Sequence, residues 1–159
     1  MKALPVLAAL VLSHSAAAAD TIDIKGIRLG MSQLDIQELH GTLPLRDFTI
    51  GGVRSKYSVS PDFLDGKMQV LRIFFDASGF DQVRSAVRTK YPDLACADSD
   101  VTNAMGTRFT QTECHLKGND GILTLRRFSS TISTGSLSLI SNEELDRLKR
   151  EFAASKKDM

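Results

Sequence analysis

The amino-acid sequence predicts an α+β protein: an antiparallel sheet with helices on one face, laid out as two helix–hairpin units plus a C-terminal helix. Three observations carry that prediction. Apolar and polar residues alternate with period two in several short runs, the pattern of half-buried strands. Other segments open on a capping residue and then carry apolar residues at helical spacing. Finally, Lys117-Gly118-Asn119-Asp120-Gly121 separates two β-rich runs, Thr107–Leu116 and Ile122–Phe128, with residues that tolerate positive φ, as a hairpin loop requires. This hairpin is expected in the middle of the sheet, tied to the preceding segment through Cys96.

In chain order, Met1–Ala19 has one early charge (Lys2), an apolar run from Ala3 to Leu12, and small residues ending in Ala17-Ala18-Ala19. That is the layout of a cleavable signal peptide, too short in its apolar core to span a bilayer permanently. With no cysteine at the cut, the chain is expected to be periplasmic and not lipid-anchored. Residues 20–154 form one α+β domain and 155–159 a flexible tail. The whole chain has 20 Lys and Arg against 19 Asp and Glu; losing Lys2 leaves 19 of each, so net charge does not favour nucleic acid or an anionic membrane.

Ile22–Ile27 alternates as a short strand. Gly30 breaks it, Ser32 and Asp35 form a capping arrangement, and Met31 with Ile36 form a hydrophobic staple; the helix runs from Gln33 to about His40 and stops at Gly41. Residues 51–59 read as a strand, Pro61–Gly66 as a turn, and Lys67–Phe75 as a second strand pairing with the first. Ser78 opens the next helix, whose core stripe is Phe80, Val83, Val87 and Tyr91, ended by Pro92. Ala97–Gly106 reads as a polar loop. After the central hairpin come a short strand, Ser136–Ile140, and a helix capped by Ser141 and Glu144 with Leu145, Leu148 and Phe152 on its apolar side.

The run Gly26-Ile27-Arg28-Leu29-Gly30-Met31-Ser32, with Ile36, Leu39 and Gly41 beyond, resembles small exported proteins of the BamE/SmpA-like and β-lactamase-inhibitor-like kind. The resemblance implies a non-catalytic protein that binds other proteins of the cell envelope. A second helix–hairpin unit is a feature of the inhibitor-like group, whereas the BamE-like members are typically lipid-anchored.

Two cysteines in an exported chain most often form one disulfide, here Cys96–Cys114. Neither C-x-x-C nor another metal-ligand spacing is present, and no metal or cofactor is expected. His40 and His115 are the histidines outside the leader. The first sits at a helix C-terminus, where an imidazole suits the dipole. The second is two residues from Glu113 on one strand face, a conceivable acid–base pair or simply a solvated face. Asp98-Ser99-Asp100 reads as a polar turn.

Arg54, Lys56, Arg72, Arg108 and Arg126 all fall on predicted strands. Aligned on one sheet face they would form a docking surface for an acidic partner, with Tyr57, Phe74 and Phe128 as aromatic anchors; a plain wet face is the alternative. Three functional readings follow: a soluble periplasmic protein-binding module of inhibitor, immunity or adaptor type; a hydrolase using Glu113 and His115; and a carrier holding an apolar molecule between helices and sheet.

Overall fold

The computed structural model describes residues 21–103 and 105–155. The signal-peptide reading of 1–19 and the tail residues 156–159 lie outside the described residues. The chain folds as α+β around a six-stranded antiparallel sheet, with three α-helices.

The first predicted strand is a tight ribbon instead. Asp23–Ile24 (β1) turns back onto Ile27–Arg28 (β2) because Lys25 and Gly26 both take positive φ, 54° and 85°. Backbone bonds then pin the following turn to the sheet: Gly30 N–H donates to Met68 C=O and Met68 N–H donates to Met31 C=O. Helix α1 is Gln33–His40, as the sequence predicts. Ser32 Oγ accepts from Asp35 N–H, and Asp35 accepts from Ser32 N–H at 2.8 Å. These bonds from Ser32 hold the Asp35 carboxyl below its ordinary range.

The first hairpin differs from expectation. Thr49–Ile50 (β3) pairs with Val53–Arg54 (β4) across Gly51-Gly52, and the strand preceding Lys67–Asp76 (β6) is Asp62–Leu64 (β5), inside the predicted turn. The Asp65-Gly66 dipeptide, with φ of 49° and 74°, suits a two-residue hairpin loop, so β6 pairs with the residues immediately before it. Only Ser55 bridges to Phe75, with Lys56 N–H donating to Phe74 C=O at 2.7 Å. Ser78 does not cap the second helix. A 3₁₀ turn at Ala77–Gly79 leads into Phe80–Lys90 (α2), with Gly79 at the cap position and no side-chain cap. A Cβ at Gly79 would stand 2.7 Å from Val53 Cγ1, so close packing against β4 sets this entry.

The segment read as a polar loop is a strand. Ala95–Thr102 (β7) pairs along its whole length with Arg108–Lys117 (β8), and Asp98-Ser99-Asp100 lies in that ladder rather than in a turn. Neither side of this strand is buried, Cys96 being its one half-buried residue, because it lies at the sheet's edge, where alternation fades. Gly121–Arg126 (β9), Thr134–Ser141 (β10) and the helix Asn142–Ser155 (α3) complete the chain. The sheet order is β5-β6-β10-β9-β8-β7. The predicted central hairpin, β8–β9, is thus displaced to one side, and β10 with β9 forms the centre.

Register puts Leu71, Leu139, Leu123 and Leu116 in one cross-strand row, and Ile73, Leu137, Leu125 and Cys114 in the next. Ile36 from α1 and Phe80, Val83 and Val87 from α2 join these rows in one buried cluster. We call this the front face. Helix α3 adds nothing to that cluster. Its Glu144 and Arg147 border a depression with Gln69 and Val70, and Val70 alternates with Leu71, so α3 stands at one end of the back face and the helices do not all share one face as expected.

Candidate functional site

Among the described residues the remaining part of the back face is open. Its rows are Arg72, Ser138, Thr124 and His115, then Phe74, Ser136, Arg126 and Glu113. Between them lies a depression of about 290 Å³ bordered by Arg72, Phe74, Thr124, Arg126, Ser136 and Ser138, among others. Short serines on the central strand leave the space; Arg72 and Arg126 stand on opposite sides of it. Tyr57 adds a rim. Tyr57 is 57 % exposed, and its ring meets Phe74 edge-on, centroids 6.1 Å apart.

Of the expected docking residues, Arg72, Phe74 and Arg126 share this face, and Tyr57 reaches it through Phe74. Lys56 lies at the margin, its Nζ 3.2 Å from Thr134 Oγ1 and 3.5 Å from Asp76 Oδ1. Arg54 sits on the separate β3–β4 ribbon, ion-paired with Asp47. Arg108 does not join: it alternates with Glu113 along β8, and its register partner is Thr102 at the far end of the edge strand. Phe128 packs against Phe109 at 6.0 Å, past the end of β9, where Gln111 holds both its N–H and its C=O. The eight residues therefore split into one face, a margin and three outlying places.

Glu113 and His115 do meet. His115 Nε2 lies 2.8 Å from Glu113 Oε1, and Nδ1 lies 3.3 Å from Thr124 Oγ1. The order carboxylate, imidazole, hydroxyl matches the logic of an activated nucleophile. Two features weigh against turnover there. Arg126 binds the same carboxylate through Nε at 2.9 Å and Nη2 at 3.1 Å, competing for the charge that would orient the imidazole. Thr124 also lies on an inner strand between β8 and β10, so backbone N–H groups around it serve the two ladders rather than a developing oxyanion. Among the described residues no three or more His, Cys, Asp or Glu side chains gather to hold a metal ion.

A second concavity lies on the front side, between α2, the two small ribbons and the sheet. It has about 280 Å³ of space, with Ile24, Ile50, Ala86 and Val87 on its apolar wall. At its mouth Lys90 Nζ is 2.5 Å from Asp23 Oδ1, and Tyr91 Oη accepts from Asp23 N–H at 2.8 Å and donates to Asp23 C=O at 3.0 Å. Partial burial opposes ionisation of Asp23 but is outweighed by the Lys90 and Gly26 hydrogen bonds, which hold its carboxyl below the ordinary range. Burial likewise opposes the charge on Lys90, and the Asp23 bond outweighs it, raising the ammonium above its usual value. Sequence reading placed Tyr91 only in a core stripe and missed this network; nothing local links residues 67 and 68 positions apart.

The sulfurs of Cys96 and Cys114 are 2.06 Å apart, joining directly opposed residues of β7 and β8. No helix among the described residues is long and apolar enough to cross a membrane. No protein-family model, curated protein or solved structure matches the chain.

Proposed function

We propose that this is an exported, periplasmic binding module that acts by occupying the surface of another envelope protein through the open back face. The observation that supports it most is the Arg72–Phe74–Arg126 patch around a shallow depression, rimmed by Tyr57. Arginine and aromatic side chains of this kind carry most binding energy at protein interfaces. Guanidinium groups in exposed ion pairs exchange partners at little cost, so a carboxylate-rich surface suits Arg72 and Arg126. The resemblance of the Gly26–Ser32 turn to envelope-binding proteins of the inhibitor-like kind agrees with this reading, as does a disulfide, which belongs to oxidising compartments.

The test is capture from periplasmic extract by the immobilised chain, run beside Arg72→Glu/Arg126→Glu. Bands held by the wild type, lost by the charge-reversed variant and weakened by salt support the reading. Equal capture by both would remove the back face from it. The front cavity favours a second reading, a carrier of a small apolar molecule; native mass spectrometry of freshly purified protein would show the extra mass. Hydrolysis through His115 predicts activity on envelope polymers that His115→Ala abolishes.

A further inference from the structure

The sheet's two edges are unequal. At one side β5 has three residues; at the other β7 has eight, and seven of them are exposed, Cys96 being the half-buried one. The disulfide pair shows which way the β7 backbone points. Cys96 and Cys114 face each other with Cα atoms 3.9 Å apart, on the close side of the ladder's two spacings, where facing residues do not exchange backbone hydrogen bonds. Register alternates from there, so Asp98, Asp100 and Thr102, opposite Thr112, Thr110 and Arg108, hold equivalent positions. Their N–H and C=O groups are directed away from β8, into the open.

Such a row is a template for another strand, and proteins usually blunt it with proline, with charged side chains (lysine above all) or with a covering segment; β7 has the charges of Asp98 and Asp100, which repel an acidic strand and admit a basic one. Residues 95–102 contain neither proline nor lysine. The cross-link fastens β7 to β8 at Cys96, so a partner would meet an edge already ordered. Asp98 and Asp100, two residues apart, rise from one face, and Thr112 Oγ1 donates to Asp98 at 2.7 Å.

We propose that β7 accepts an extended basic peptide segment as a seventh strand, with Lys or Arg at alternate positions seated over Asp98 and Asp100. Backbone bonds supply the affinity and the two carboxylates set the register and the sign of charge. A second copy of the chain is the less suitable occupant, because two-fold pairing of β7 with itself would gather four carboxylates on one face. This site is separate from the back-face patch, and either can fail without the other.

The experiment uses the full disulfide-bonded chain and a labelled, end-blocked hexapeptide alternating threonine and lysine. Fluorescence anisotropy is read beside an alternating threonine–glutamate peptide and a lysine peptide N-methylated on its edge-facing amides. We expect the lysine peptide to bind about tenfold or more tighter than either control, and Asp98→Asn/Asp100→Asn to lose about tenfold. Asp100→Pro should lose more than Asp100→Asn, because proline also removes an outward N–H while sparing the β8 ladder. Arg126→Glu should bind as the wild type does. In amide exchange, Asp98, Asp100 and Thr102 should become protected on adding the peptide. Equal binding of the N-methylated peptide, no binding of the lysine peptide, or unchanged exchange at those three amides overturns the proposal. So does disulfide-trapped dimerisation of Ser99→Cys through β7 that excludes the peptide, which would make a second copy the occupant.

Discussion

The front and back faces of the central sheet are made by the same strands and have opposite characters. Leu137 and Leu139 face the front with no exposed surface, while Ser136 and Ser138, alternating with them on β10, face the back beside Arg72 and Arg126. Among the described residues, α1, α2 and the small ribbons pack on the front, and the back is covered at the end where α3 stands. Stability is concentrated on one side and accessible chemistry on the other. A binding surface on the back can therefore vary without dismantling the core.

Substitutions sharpen that contrast. Leu137→Ala should cost about 3–4 kcal/mol in urea-unfolding free energy, the middle of the range for a fully buried leucine. Cys96→Ala/Cys114→Ala should cost about 3 kcal/mol by loop-closure entropy, read as a lower urea midpoint that reductant no longer shifts. Gly135→Ala should cost about 1–3 kcal/mol, since a Cβ there would stand 2.5 Å from the Phe75 ring, and Phe75→Leu in the same chain should recover part of the loss.

Smaller effects belong to the mouth of the front cavity. A depressed Asp23 pKa stabilises the fold above its unfolded value near 3.9, and that contribution fades as pH falls through the folded value. A raised Lys90 pKa stabilises below its unfolded value near 10.4 and fades as pH rises through the folded one. The stability gap between wild type and Asp23→Asn should thus be widest between about pH 5 and 10 and shrink on both sides. Because this pair is partly solvated, the gap should stay under about 1 kcal/mol. Smallest of all, Ser138→Ala and Arg126→Ala should change stability by about 0.5 kcal/mol or less while Arg126→Ala weakens partner capture. A large loss of stability from either would break the division between the faces.

What could be read in the sequence follows from how local each signal is. Helix α1 was legible because each of its ends is set locally, Ser32 with Asp35 within the first turn and Gly41 just past the last residue. The β8–β9 hairpin and the disulfide were legible because a loop of turn-forming residues and a pair of cysteines leave few alternatives. The strand β7 was hidden: an edge strand has no buried side to impose alternation, so it reads as a polar loop. Three tight turns, at Lys25-Gly26, Gly51-Gly52 and Asp65-Gly66, redistributed strands by a few residues, and Arg108 left the expected basic face through odd spacing from Glu113. The site itself depends on register between distant strands. Arg72, Thr124 and Ser138 come together only because β10 inserts between β6 and β9, which no local pattern specifies.

That insertion also orders events in time. Strands β6 and β9 are separated by more than forty residues of chain, yet neither touches the other; each is joined to the sheet's far half only through Thr134–Ser141. Until that late segment is available, an emerging polypeptide can form the β5–β6 hairpin and the three-stranded β7–β8–β9 meander but no continuous sheet. Such long-range closure slows folding, and it keeps the unfinished chain unlocked until nearly all of the described domain has been made.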